Sequence, residues 1–161
     1  MGARVKTQLE KLKATCKRIG PAKFTAPDYR PGLIRHIVLF HLQSEVTPAQ
    51  RADLTQRFLQ LQDTCRRHGK PYILSIETGA QSSGEGVDGG FEQGFLVTFR
   101  SEGDRNYYVG KPVVDDPHYY DRAHDAYKAS LAGLLLPGAA GALVFDFSIA
   151  DRAWLKAKSD V

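Results

Sequence analysis

The stretch LIRHIVLFHL, Leu33 to Leu42, governs how the rest of the chain is read. Successive side chains of a β-strand point to opposite faces, so His36, Val38 and Phe40 share one side and Ile37, Leu39 and His41 the other. Both sides are apolar. Such a strand is expected to have both of its faces covered. Downstream, Thr47-Pro48-Ala49-Gln50 predicts a helix start: Thr47 caps, Pro48 suits the first turn and Gln50 completes a capping box. Leu54, Phe58, Leu61 and Cys65 form that helix's buried stripe, and His68-Gly69-Lys70-Pro71 is expected to end it.

The remaining elements follow from the same two periodicities. Tyr72 to Thr78 reads as a second strand and Phe95 to Phe99 as a third, with Phe95, Val97 and Phe99 on one side. The loop from Gly79 to Gly94 is glycine-rich, but it lacks a GK[ST] triplet and carries Glu85, Asp88 and Glu92. Carboxylates do not line a phosphate cradle, so a nucleotide loop is excluded. A short helical segment is expected from about Asp104 to Gly110. Asp116 then reads as the cap, and Pro117 as the first residue, of a helix running towards Leu136. Its apolar stripe is Tyr120, Ala123, Tyr127, Leu131 and Leu134. Leu143 to Ile149 reads as the fourth strand. The tail from Asp151 is polar apart from Trp154 and Leu155, which are expected to pin it to a surface.

Upstream, Val5, Leu9, Leu12, Cys16 and Ile19 fall at helical spacing until Gly20-Pro21 ends the run. Residues 21–32 read as an extended, Pro-rich linker. The expected organisation is a basic amphipathic helix and linker over 1–32, a domain over 33–149 and a polar tail over 150–161. The net charge of +4 is unevenly spread, because residues 1–30 hold eight Lys/Arg against Glu10 and Asp28. Such an arm either meets an anionic partner or is a solvated helix face. Without an aromatic platform beside it, nucleic acid is not the expected partner. No apolar run approaches the ~20 residues that span a bilayer, and no leader-like apolar block is seen. With Cys16 and Cys65 at no metal or redox spacing, a cytoplasmic protein with free thiols is expected.

The element order βαββαβ predicts an α+β, ferredoxin-like sheet with helices on one face. The other sheet face is also apolar, and a homodimer packed sheet against sheet would cover it. RHIVLFHL, TPAQ, GFLVTF with a tyrosine shortly after, DDPH and VFDF, in this order over residues 33–149, resemble the stress-responsive dimeric A/B barrel proteins. The resemblance implies a dimeric α/β barrel. Family members include stress proteins, many proteins without assigned activity, and a plant polyketide cyclase. The cyclase's catalytic tyrosine and histidine correspond to Tyr108 and His118 here, and its first-strand histidine to His36. Its apolar pocket positions correspond to Val38, Phe40, Leu54, Phe58, Phe95 and Val97. Gln93 stands where the cyclase has a histidine, and the stretch between Tyr108 and His118 is a few residues longer.

His118, in the first turn of its expected helix, should tend to be neutral, because the positive helix end disfavours an imidazolium. Paired with a phenol it could take a proton while Tyr108 hydrogen-bonds a developing enolate. That chemistry needs no metal or organic cofactor, only a small apolar or aromatic ligand in a dry pocket. The alternative is that His118 merely helps to cap its helix and Tyr108 packs. His118 and His124 lie on different helix faces, and His36 and His41 on opposite strand faces, so no metal site is expected. Three function classes stay open: cofactor-independent cyclase, lyase or isomerase chemistry; a non-catalytic stress, binding or structural dimer; and a scaffold whose N-terminal helix makes partner or subunit contacts.

Overall fold

The computed structural model describes residues 4–149; the predicted polar tail, with Trp154 and Leu155, lies outside them. Helix α1 (Gln8–Ile19) starts on a capping box: the Thr7 hydroxyl accepts from the Glu10 N–H, and the Glu10 carboxylate accepts from the Thr7 N–H. Where an extended linker was expected, Pro21 opens a one-turn helix, α2 (Pro21–Phe24). Phe24 is the reason the chain turns here, because its ring is buried with Cys16, Val114 and Tyr120 in a small second core. The N-terminal segment therefore packs onto the rest of the chain, with Lys6, Lys11, Lys13 and Lys17 on its exposed side.

Strand β1 (Pro31–Phe40) is followed by α3 (Pro48–Thr64), which carries the predicted Thr47–Gln50 capping box. The stretch expected simply to end α3 forms a small hairpin of its own, β2 (Arg66–Arg67) with β3 (Lys70–Pro71). His68 and Gly69 both have positive φ, 49° and 74°, the signature of the tight turn that matches strand twist. β4 (Ile73–Ala80) and β5 (Gln93–Ser101) run longer than predicted, because pairing continues through Gly79–Gly94 and Ala80–Gln93. α4 (Glu102–Val109), α5 (Arg122–Ser130), a turn of 3-10 helix (Gly138–Ala140) and β6 (Ala142–Ser148) complete the described chain.

The helix predicted from Pro117 begins instead at Arg122. Its cap is Asp121, whose carboxylate accepts from the N–H groups of Ala123 (2.8 Å) and His124 (3.2 Å). Asp121 is also anchored from outside, as the Tyr72 hydroxyl donates to it at 2.7 Å. Asp116 closes a local turn onto the His118 N–H at 3.0 Å. Ahead of that turn, Gly110 takes φ +59°, and a Cβ there would lie 2.6 Å from Tyr120 Cβ, so only glycine lets the segment fold back so tightly.

The four long strands form one antiparallel sheet, in the order β4-β5-β1-β6. This is the ferredoxin-like α+β arrangement. On the helix-covered face, Ile34, His36, Val38 and Phe40 of β1 align with Phe95, Val97 and Phe99 of β5 and pack under Leu54, Phe58, Leu61, Tyr108 and Tyr127. Phe58 stacks on Phe95 with centroids 3.8 Å apart. On the outer face no element among the described residues covers Ile37, Leu39 and Leu96, and the outward residues of β6, Leu143, Phe145 and Phe147, are exposed. No helix among the described residues is long and apolar enough to cross a membrane.

Candidate functional site

Between the helix-covered side of β1 and β6 and helices α3 and α5 lies a cavity of about 330 Å³. Its wall is mostly apolar, with Val38, Phe40, Phe58, Tyr127, Leu131 and Val144, and that lining is broken by two histidines, His36 and His124, and two lysines, Lys111 and Lys128. Of the residues singled out from sequence, His36, Val38, Phe40 and Phe58 reach the cavity. Leu54, Phe95 and Val97 are core residues behind it.

His118 does not reach it. Its side chain is 86% exposed, and its ring nitrogen Nδ1 lies 2.8 Å from Asp116 Oδ1 in the surface turn. The displacement follows from the helix start: with α5 capped by Asp121, the segment holding His118 stays on the surface. Nor does Tyr108 line the cavity. It is 0% exposed, and its hydroxyl is a buried polar group with no hydrogen-bond partner among the described residues. Burial pushes its phenol well above the ordinary range, with Cys65, Tyr127 and Asp121 adding to the effect. It therefore stays protonated. His118 and Tyr108 are not brought together.

The ring that covers Tyr108 is His124, stacked at 3.7 Å between centroids and 16° between planes. His124 sits in the first turn of α5, and its Nδ1 is 2.6 Å from the Tyr108 main-chain carbonyl. A carbonyl only accepts, so Nδ1 carries the hydrogen and Nε2 is the unprotonated nitrogen of the neutral ring. Burial drives the His124 pKa well below the usual value, and the nearby Lys128 charge pushes the same way. The bond to Tyr108 opposes this, and His36 adds a smaller depression. His124 is a neutral imidazole at pH 7. Lys128, one turn on, donates to the carbonyl of Val109 at 2.9 Å.

His36 reaches the cavity from the sheet. It lies directly across from Asp146 in the β1–β6 register, which sets its Nδ1 2.6 Å from Asp146 Oδ1. The second Asp146 oxygen accepts from Arg105. Burial pushes Asp146 upward, but the His36 hydrogen bond and the His36 and Arg105 charges outweigh it and hold the carboxyl below its ordinary value. The His36 ring meets the edge of Tyr108 at 5.7 Å, so Tyr108 is flanked by the two cavity histidines. Arg105 Nε donates to Asn106 Oδ1 at 2.9 Å, and Asn106 Nδ2 donates to the Phe24 carbonyl at 2.9 Å. The polar chain from His36 thus ends in the N-terminal segment.

Sequence reasoning missed His124, although a signal existed. His124, Tyr127 and Leu131 fall at i, i+3 and i+7, so this histidine lies on the buried stripe of its own helix.

Residues 34–149 match the family model of the Stress responsive A/B Barrel Domain. The chain belongs to that family. The α1–α2 segment precedes the matched region. Among solved structures, an Arabidopsis thaliana protein is similar at 19% identity with a TM-score of 0.57, over 73% of this chain and 96% of that one. The hydroxynitrile lyase from Passiflora edulis is similar at 18% identity and a TM-score of 0.57, over 75% and 96%. A dimeric ferredoxin-like protein of unknown function from Jannaschia sp. CCS1 is similar at 19% identity and a TM-score of 0.56, over 73% and 100%. These likenesses are of fold. No curated protein matches the chain.

Proposed function

We propose that this A/B barrel protein binds a small apolar or aromatic molecule and performs lyase, cyclase or isomerase chemistry by acid–base steps alone. The assignment made from sequence shifts from His118 and Tyr108 to His124 and His36. One observation carries the reading: a neutral imidazole lines a mostly apolar cavity whose wall also holds a second imidazole bonded to a carboxylate. His124 Nε2 is the base. It takes a proton from a hydroxyl or an activated C–H. Asp146 fixes the His36 ring, which orients the reacting group at the cavity wall. The dry wall strengthens both interactions. Two imidazoles suffice for this chemistry, and no cofactor is called for.

An α-hydroxynitrile is a suitable first substrate class, because one structure of similar fold is a hydroxynitrile lyase. The step balances with these groups. The O–H proton goes to His124, and the O–H electrons form the carbonyl. The C–C bond breaks towards cyanide, which takes that proton back from His124 and leaves as hydrogen cyanide, restoring the neutral ring. The apolar outer face of the sheet supports a homodimer, with a second copy's sheet laid across Ile37, Leu39, Phe145 and Phe147. The Jannaschia protein of similar fold is described as dimeric.

The test is NMR of the His124 ring across pH, with and without a panel of aromatic α-hydroxynitriles and phenols, using His124→Gln to assign the signal. Cleavage of mandelonitrile is followed in parallel as benzaldehyde formation. The expected result is a ring that stays neutral to well below pH 6 and shifts when ligand is added. A ring titrating as in water, moved by no ligand, refutes the catalytic reading and favours a ligand-free structural dimer.

A further inference from the structure

Beneath α1 a smaller hollow of about 90 Å³ adjoins the main cavity. Leu12 and Phe24, from the N-terminal segment, form one side of it, and His36, Val109, Val144 and Asp146 form the other. His36, Val109 and Val144 also line the main cavity, so the two hollows meet at the same three side chains. We propose that Leu12 is a specificity-determining residue: it is the end wall of the cavity and sets how far a ligand can extend past His36. This rests on the reading of the main cavity as a ligand site.

Three observations carry it. The hollow has room for roughly three water-sized groups, which suits a short unbranched apolar extension and not a second ring. Its polar side chains are bonded to one another, since Asp146 takes His36 and Arg105, and Arg105 and Asn106 are bonded in turn. That leaves an apolar group as the suitable guest. Finally, the N-terminal segment is anchored at the site: Asn106 ties the Phe24 carbonyl of α2 to the same polar chain that fixes His36, and Leu12 of α1 packs in the same small core as Phe24. Since the family match begins at Ile34, this wall comes from a segment outside the matched domain.

The experiment measures dissociation constants of the full chain for 4-n-alkylphenols from methyl to octyl by titration calorimetry, with the His124 ring signal as the site reporter. The variants are Leu12→Ala, Leu12→Phe and Ile19→Ala. Ile19 lies on the same apolar stripe of α1 and packs against the second core without lining either hollow. In the unsubstituted protein each methylene tightens binding about fourfold until the chain meets Leu12, after which the gain stops. The break should move to longer chains in Leu12→Ala, to shorter chains in Leu12→Phe, and stay in place in Ile19→Ala. A break at one length in all four proteins, with the His124 signal still shifting, overturns the role of Leu12 and leaves the proposed function standing. A break moved equally by Ile19→Ala overturns it too, because α1 docking and not the Leu12 side chain would then be responsible. If no alkylphenol binds any of the proteins or moves His124, the cavity reading itself fails and the inference falls with it.

Discussion

Lowering the pH should destabilise this protein through His124 before any carboxylate contributes. In the native state the ring is buried and resists protonation; in the unfolded chain it titrates near 6.5. The unfolded state therefore binds the extra proton as pH falls, and stability is lost below about 6.5 while remaining flat above it. For a native ring that stays neutral, the loss is RT ln(1 + 10^(6.5 − pH)). That is negligible at pH 7.5, about 1.4 kcal/mol at pH 5.5 and about 2 kcal/mol at pH 5. Asp146 acts in a separate window. Its native pKa is depressed, so its contribution is complete above about pH 4 and disappears only below that. Urea unfolding at half-unit steps from pH 7.5 to 5.0, for the unsubstituted protein and His124→Gln, isolates the effect. Glutamine can still donate to the Tyr108 carbonyl but does not titrate. The difference between the two stability curves should grow by about 1.4 kcal/mol from pH 7.5 to 5.5. Parallel curves would show that His124 protonates as easily in the folded protein as in the unfolded one, and the neutral buried base would have to be abandoned.

Replacing Asp121 with alanine removes the α5 cap, worth about 1 kcal/mol, and strands the buried Tyr72 hydroxyl, worth about 1–3 kcal/mol more. Urea unfolding should register about 2–4 kcal/mol, and Asp121→Asn, which keeps an acceptor, should recover most of it. Phe145→Asp places a charge on the outer sheet face; sedimentation velocity should show a dimer for the unsubstituted chain and a monomer for the variant, and an unchanged sedimentation coefficient would rule this face out as the dimer contact.

The fold was legible where its determinants are local. The alternation in Leu33–Leu42 places His36, Val38 and Phe40 together on the buried side, as the observed register does. The Thr47–Gln50 capping box needs only its own four residues and forms as read. The site was less legible because its key decision is tertiary. The sequence reads Asp116 as the cap, but the helix is capped by Asp121. Tyr72, far away in the chain, selects Asp121 by donating into it. Once that choice is made, His118 is left in a surface turn and His124 becomes the buried ring. No local pattern around Asp116 contains this information. The helical periodicity from His124 through Tyr127 to Leu131 does hint at the outcome, because a histidine on an apolar stripe has to be buried or to break it. Leu54, Phe95 and Val97 show a different limit: pocket wall and core share one chemistry, and only the position of the void separates them.

Strand β6 presents its residues to two audiences. Val144 and Asp146 face the cavity and His36, while Phe145 and Phe147, alternating with them, face outward. In the proposed homodimer a single strand therefore touches both the guest and the second copy. Linkage then requires reciprocity: whatever factor occupancy adds to or removes from the dimer's affinity, dimerisation must apply to the guest's affinity. Protein concentration becomes a control on occupancy, and a guest that shifts β6 becomes a control on assembly, with no separate regulatory site needed for either.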